Sequence, residues 1–290
     1  MTAPDTAPLV SVVIPVFNAG ETLAATVASV QAQSLMDWEA LLVDDGSRDD
    51  SAAIMARLAA SDPRIRCLST EGQQGAGPAR NAGIAAARGR FIAFLDADDQ
   101  WHPEKLKLQL AAMAETGIPF SCTAYLRVNA AKDNRRVVGV PARARRADLL
   151  KTNTVACSTA IYDRAHFGPR AMPDLRRRQD FALWLDLLRD TPVVLGLPLV
   201  LMTYREDAGS LSAPKGRAAA DTWRMYRQIP GLGLPQAAWY FGHYALRGLL
   251  RHRLPGLARR LGWLQGAGLP AAAEAPNLAT NPAPGASSGR

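Results

Sequence analysis

The stretch FLDADDQWHP, residues 94–103, sets Asp96, Asp98 and Asp99 directly behind the apolar run Phe91, Ile92, Phe94 and Leu95. Carboxylates this close repel one another and raise each other's pKa unless a cation lies among them. Hard oxygen donors at a strand end suit Mg²⁺ or Mn²⁺, which bind through one or two carboxylates and fill their coordination with substrate phosphates and water. A divalent ion arriving with a diphosphate would neutralise the cluster. The loop is no EF-hand, since the glycine and the distal glutamate of that pattern are missing. The plainer alternative for Asp99 is a cap on the following helix. A second acidic pair, Asp44-Asp45, closes another apolar run. Ser47 or Asp49 is expected to cap the helix after it. A carboxylate at this place can also accept the ring N–H of a uracil-type base, with Phe17 on the neighbouring strand covering its face, but the pair taken alone is weak evidence for that.

The elements that must hold these residues follow from periodicity. LVSVVIPV, residues 9–16, reads as a fully buried strand, and Leu23, Val27 and Val30 recur at helical spacing after it. Further strands are expected at 38–43, 64–68 and 91–95, with helices at 49–60 and 79–88. Strands alternating with helices make βαβ units and a mainly parallel sheet. Such sheets bind ligands outside the carboxyl ends of their strands. Asn18, Asp44-Asp45 and the Asp96–Asp99 cluster all fall on that edge, and a shared edge makes a site. GAGPARNAG, residues 75–83, is not a dinucleotide fingerprint: it reads G-x-G-x-x-R and follows the third strand, not the first. It is expected to open a helix, with Pro78 near its start and Arg80 near phosphates.

Beyond residue 119 the pattern becomes mixed: strands over 120–140, a strand at TAIY, the apolar helix 181–188 and a strand over 193–204. The expected fold is therefore α/β, a Rossmann-like mixed, mainly parallel sheet flanked by helices. Residues 9–119 form its nucleotide-binding half and 120–215 its acceptor-facing half. A helical appendage follows over 216–268, and residues 1–8 and 269–290 have little to bury and are expected to be disordered.

The chain carries 34 Lys and Arg against 26 Asp and Glu, a net charge of +8, with the basic residues concentrated after residue 127. Cys67, Cys122 and Cys157 fit no metal or disulfide spacing, and Cys67 and Cys122 are expected to pack in the core. MTAPDTAPLV lacks the features of a signal peptide, and no apolar run reaches the roughly 18 residues of a membrane span. The cytoplasm is the expected location. Residues 236–254 place Trp239, Leu246, Leu249 and Leu250 on one helical face and His243, Arg247 and Arg251 on another. That pattern fits either peripheral contact with an anionic membrane surface on its inner side or packing against the main domain.

Four segments together carry a family resemblance: VSVVIPVFN, LLVDDGSRDDS, GPARNAGIAAARGRFIAFLDADDQWHPEKL and RRRQDFALWLDLL. Their order and approximate spacing resemble family-2 glycosyltransferases of the GT-A fold over roughly residues 9–213. STAIYDR and YREDAGSLS look like the small, non-processive bacterial members that build surface polysaccharides or lipid-linked oligosaccharides. The resemblance implies that Pro15, Phe17 and Asp45 contact the nucleoside, in a site whose edge also carries Asn18 and Arg80. It implies that Asp96 and Asp98 form a DxD motif, the first facing the ribose and the second holding Mg²⁺ or Mn²⁺ on the diphosphate. Asp180 would be the general base on the acceptor hydroxyl, and Arg205, with Ser210 and Ser212, would close over the diphosphate. The implied reaction is inverting, metal-dependent transfer from a nucleotide-sugar, UDP-linked by preference. The acceptor would be a saccharide or an undecaprenyl-type lipid-linked acceptor.

The chain departs from that pattern in places. Gln179-Asp180 stands where two acids are usual, no histidine follows Tyr204-Arg205, and no Q-x-x-R-W signature follows Asp180, which disfavours processive polymerisation. A catalytically degenerate nucleotide-sugar-binding homologue is the alternative raised by Gln179. A nucleotidyltransferase would want a basic phosphate loop after the first strand, and VFNAGETL has no Lys or Arg. A nucleic-acid-binding protein would interleave aromatic and basic residues, whereas the first hundred residues gather acids at the site; no nucleic acid is expected as partner.

Overall fold

The computed structural model describes residues 7–253 apart from 71, 73, 130–133, 207–214 and 230, together with residue 256. One mixed sheet organises it, in the strand order β3-β2-β1-β4-β9-β6-β10-β5, with β7 beside β6 and β8 beside β10. The first four strands are β1 (Val10–Val16), β2 (Trp38–Asp44), β3 (Ile65–Ser69) and β4 (Phe91–Phe94), all mutually parallel. They alternate with α1 (Leu23–Gln31), α2 (Ser51–Ser61) and α3 (Ala76–Ala86). Every residue of β1 except Pro15 is buried, as expected of a strand covered on both faces. Val13 joins one core cluster while its neighbours Val12 and Ile14 join the other, because successive side chains leave a strand on opposite sides.

The second half begins with β5 (Gln100–Trp101) and α4 (Lys105–Thr116), then β6 (Phe120–Asn129), β7 (Asn134–Val138), β8 (Arg143–Ala144) and α5 (Arg146–Lys151). A 3₁₀ turn over Cys157–Thr159 leads into β9 (Ile161–Asp163) and the short α6 (Arg164–Phe167). α7 (Gln179–Leu187), β10 (Val194–Arg205), α8 (Lys215–Gln228) and α9 (Leu234–Arg253) complete it. β9 runs antiparallel between β4 and β6, and so joins the two halves into one sheet. Trp184 anchors α7: it is fully buried, stacked on Phe120 at 5.2 Å and edge-on to Phe94 at 5.6 Å. Met225, Tyr226 and Ala237 bring α8 and α9 into the same core cluster.

Several expectations change. α3 begins at Ala76 rather than at residue 79, because Gly75 adopts φ +100 and turns the chain into the helix early. A side chain at Gly83 would put its Cβ 2.5 Å from Val13 Cγ1, so this glycine lets α3 lie close on β1 and sets the height of Arg80 one turn earlier. Asp50 stands at the capping position of α2 without a side-chain cap bond, and Asp49 Oδ1 accepts the first helical N–H, that of Ser51, at 3.0 Å, so Asp49 supplies the cap while Ser47 Oγ accepts the Asn18 N–H at 3.0 Å. Cys122 is buried as expected, but Cys67 is exposed, because its strand is the sheet edge. Ser210, Ser212 and the expected tail over 269–290 lie outside the described residues. Among the described residues no helix is long and apolar enough to cross a membrane.

Candidate active site

The carboxyl ends of β1, β2 and β4 open into a cavity of about 580 Å³. Pro15, Phe17, Asn18, Asp45, Arg80, Asp96 and Asp98 line it together, so seven residues singled out in the sequence converge. Asn18 turns the chain out of β1 with φ +48, a conformation that asparagine tolerates better than most residues. Its Oδ1 accepts the Arg48 N–H at 2.8 Å, stitching the end of β1 to the loop after β2. Phe17 is 41% exposed, an aromatic face open to the cavity.

Asp45 is buried and organises the opposite wall. Its Oδ1 accepts from the Thr70 hydroxyl at 2.8 Å and the Gln74 N–H at 3.0 Å, and its Oδ2 accepts from the Gly75 N–H at 2.7 Å. A carboxylate has about four acceptor sites, so Oδ2 retains capacity for one more donor from the cavity.

The acidic turn after β4 is held from both sides. An Arg80 guanidinium nitrogen donates to Asp96 Oδ1. Among the acids, then, one cation is supplied by the chain itself, and Arg80 reaches the cavity already paired. Burial disfavours the charge on Arg80, but Asp96, Cys157 and Asp180 outweigh it and raise its pKa. Its Nε is buried without a hydrogen-bond partner.

Asp99 is not a helix cap. α4 starts later, with Glu104 at its capping position, and Asp99 points inward. Its Oδ2 accepts from the Ser158 hydroxyl and its Oδ1 from the Arg205 backbone N–H at 3.3 Å. Burial, then the charges of Asp96 and Asp98, push its carboxyl well above the usual range. Ser158 Oγ also accepts the Asp96 N–H at 3.1 Å, and its carbonyl accepts Trp101 Nε1–H at 2.7 Å. The turn is thereby pinned to the 3₁₀ segment before β9. STAIYDR was the only trace of this in the sequence, and nothing local to the serine shows which way its hydroxyl points.

Asp180 and Arg205 do not line the cavity. Asp180 lies in the first turn of α7, after Arg178 at the capping position. It is half-buried, and burial raises its pKa while the Arg80 charge opposes the rise; Asp96 is also within electrostatic reach. Asp180 is therefore within electrostatic reach of both Arg80 and Asp96. Gln179 is buried against α3, where a Cβ on Gly77 would meet its Cγ at 3.2 Å. Arg205 ends β10 and reaches the cluster through its N–H on Asp99, and the adjacent Glu206 pairs with Arg127 at 2.7 Å.

Among the described residues no three His, Cys, Asp or Glu side chains form a closed metal cage. Asp96 and Asp98 on the cavity wall fit the other arrangement, in which one or two carboxylates share a hard cation with ligand phosphates.

Known proteins extend this geometry. The family model for Glycosyl transferase family 2 matches residues 11–168. A Bacillus subtilis protein named as a putative teichuronic acid biosynthesis glycosyltransferase, TuaG, is 38% identical over 239 residues, 82% of this chain and 95% of its own. An Escherichia coli protein, WfgD, named as a UDP-Glc:α-D-GlcNAc-diphosphoundecaprenol β-1,3-glucosyltransferase, is 32% identical over 84% of this chain and 95% of its own. The structure of Staphylococcus aureus TarS residues 1–349 with UDP superimposes with a TM-score of 0.64 at 18% identity, over 87% of this chain and 74% of that one. The fold is the mixed, mainly parallel sheet of the GT-A type, and the chain belongs to glycosyl transferase family 2.

Proposed function

We propose that the chain transfers a sugar, with inversion, from a UDP-linked donor to a hydroxyl of a saccharide on an undecaprenyl-type lipid, in the synthesis of a bacterial surface polysaccharide. The observation that carries this is the cavity at one sheet edge that gathers Asp45, Asp96 and Asp98, with Asp180 in electrostatic reach of Arg80 and Asp96. The names of the relatives, among them a glucosyltransferase with a diphosphoundecaprenol acceptor, support the choice of donor and acceptor.

In this reading the uracil ring lies against Phe17 and beside Pro15, and its N–H donates to Asp45 Oδ2. Asn18 shapes the rim, and Asp96, fixed by Arg80 and Ser158, accepts from the ribose. Asp98, with Asp96 beside it, would hold Mg²⁺ or Mn²⁺, which when bound supplies positive charge where the leaving diphosphate becomes more negative. Arg205 closes the same end. Asp180 accepts the proton of the acceptor hydroxyl as its oxygen bonds to the anomeric carbon. The bond from that carbon to the diphosphate oxygen breaks on the opposite face, which inverts the centre. A half-buried carboxylate whose pKa is raised is a stronger base than one in water. The lipid-linked acceptor places the enzyme at the inner membrane face, in peripheral contact with an anionic leaflet.

Asp180→Asn tests the assignment. The variant should bind UDP as the wild type does and lose transfer; transfer at the wild-type rate would remove Asp180 as the base.

A further inference from the structure

Strand β10 runs parallel to β6, and β9 lies antiparallel between β6 and β4, so β4, β6 and β10 all point the same way. Their carboxyl ends share the edge that holds the cavity. Along one side of β6, β10 pairs with it from Ser121 to Val128. Along the other side, β9 takes only Phe120 and Ser121, and β7 takes Tyr125 to Asn129. The β6–β7 ribbon therefore continues past β9 on the side of β4, beyond the level at which β4 ends in the acidic turn.

Register fixes which side chains share a face, because directly paired residues point to the same side of a sheet. Tyr204 pairs with Arg127, and Arg127 pairs with Arg136, so these three form one row across β10, β6 and β7. On the opposite face the matching row is Arg205, Val128 and Arg135. Like charges directly across an antiparallel pair are destabilising, so folding gains nothing from Arg127 opposite Arg136. Glu206 accepts from Nε and Nη2 of Arg127 at 3.1 and 2.7 Å, which leaves the two donors of Nη1. Arg136 is exposed, and among the described residues no carboxylate pairs with it.

This row starts beside the acidic turn. The Tyr204 ring meets Tyr125 edge-on at 6.3 Å, and the Arg127 guanidinium carbon lies 5.7 Å from the Tyr204 ring centre. Burial pushes the Tyr204 phenol up to about 12; Asp99 and Asp98 add to the rise and Arg127 opposes it, so this one ring is in reach of both charged groups. Arg127 and Arg136 then stand one and two strand spacings from Tyr204, about 5 and 10 Å. One sugar ring bridges that span.

We infer that Arg127 and Arg136 bind the diphosphate of the acceptor, with the acceptor sugar lying over Tyr204 between them and the donor. The acceptor class selected is a sugar joined directly to a lipid diphosphate. Planar guanidiniums match phosphate oxygens two at a time, and a diphosphate relieves the repulsion built into the Arg127–Arg136 pair. This rests on the reading of the chain as a transferase with a lipid-linked acceptor.

The test titrates the full chain, its donor site filled with UDP and Mg²⁺, with decyl diphosphate as the probe. Vesicles of phosphatidylglycerol and phosphatidylethanolamine form a second arm. Arg136→Gln should weaken decyl diphosphate binding on the order of tenfold, the size of one charge-assisted hydrogen bond. Arg135→Gln removes an equally exposed arginine from the same strand but from the opposite face, and should change that affinity less than about twofold, since it makes no direct contact. Both variants should bind UDP as the wild type does. In transfer to bacterial membranes, Arg136→Gln should raise the amount of membrane giving half the maximal rate by the same factor and leave the donor KM unchanged.

Equal losses in Arg135→Gln and Arg136→Gln would mean a general basic surface and overturn the inference. So would a wild type that fails to bind decyl diphosphate, or an Arg136→Gln variant that loses the anionic vesicles while keeping decyl diphosphate. Absence of UDP binding in the wild type would instead sink the donor reading, while titration with decyl diphosphate alone still reports on Arg136.

Discussion

Removing either partner of the Arg80–Asp96 pair breaks the same contact but leaves different remnants. The Arg80 side chain is 7% exposed and that of Asp96 is 32% exposed. Asp96→Asn leaves a buried guanidinium whose remaining carboxylate neighbour in electrostatic reach is Asp180. Stranding a buried charge in this way costs roughly 3–5 kcal/mol. The lower end applies, because the asparagine carbonyl still accepts from Arg80, so about 3 kcal/mol is expected. Arg80→Met removes the buried charge and fills its space with an apolar chain. The remaining Asp96, a third exposed, regains water, and the cost should be about 1 kcal/mol, typical of a lost contact without a stranded charge. The gap of about 2 kcal/mol is a factor of roughly 30 in the unfolding equilibrium. Urea denaturation at pH 7 followed by tryptophan fluorescence measures both, and equal slopes make the midpoints comparable. Arg80→Met as destabilised as Asp96→Asn, or more so, would refute the claim that burial of the guanidinium dominates this pair.

Three further outcomes are expected. Burial raises the Asp180 pKa and the Arg80 charge restrains it, so the acid limb of kcat should lie above the ordinary carboxylate range. Arg80→Met should move that limb to higher pH, and an unmoved limb would separate the two groups. Lys105 is fully buried, its ammonium 4.1 Å over the Trp101 ring and donating to Gln109, and burial lowers its pKa to about 7. The unfolded chain then binds more protons between about 7 and 10.5, so stability should rise with pH across that window; Lys105→Met should flatten the rise in denaturation at pH 7 and 9. Asp45→Ala strands the three donors of the 70–75 loop, which should cost about 1–3 kcal/mol of stability and weaken UDP binding in calorimetry, and unchanged UDP affinity would remove Asp45 from the base site.

The strand-end carboxylates were legible because position and chemistry coincide in a parallel sheet: a strand that ends in an acid delivers it to the binding edge. Asp45, Asp96 and Asp98 needed no tertiary information beyond strand order. Arg80 did. Its residue type suggested phosphates, but the close packing of α3 on β1 at Gly83 brings it to Asp96. The direction of Asp99 was equally hidden, since a carboxylate after a strand reads alike whether it caps a helix or turns inward to Ser158. The two faces of α9 show the same limit. Periodicity separates apolar from basic residues, but only packing against α8 decides which apolar side is left exposed.

The most direct measurement is nucleoside diphosphate release across a panel of nucleotide-sugars, with isolated bacterial membranes as acceptor source and with Mg²⁺, Mn²⁺ or EDTA. Turnover of a UDP-sugar is expected with either metal and should be lost in EDTA and in Asp98→Ala. No turnover of any UDP-sugar, or a full rate in both EDTA and Asp98→Ala, would contradict the proposed chemistry.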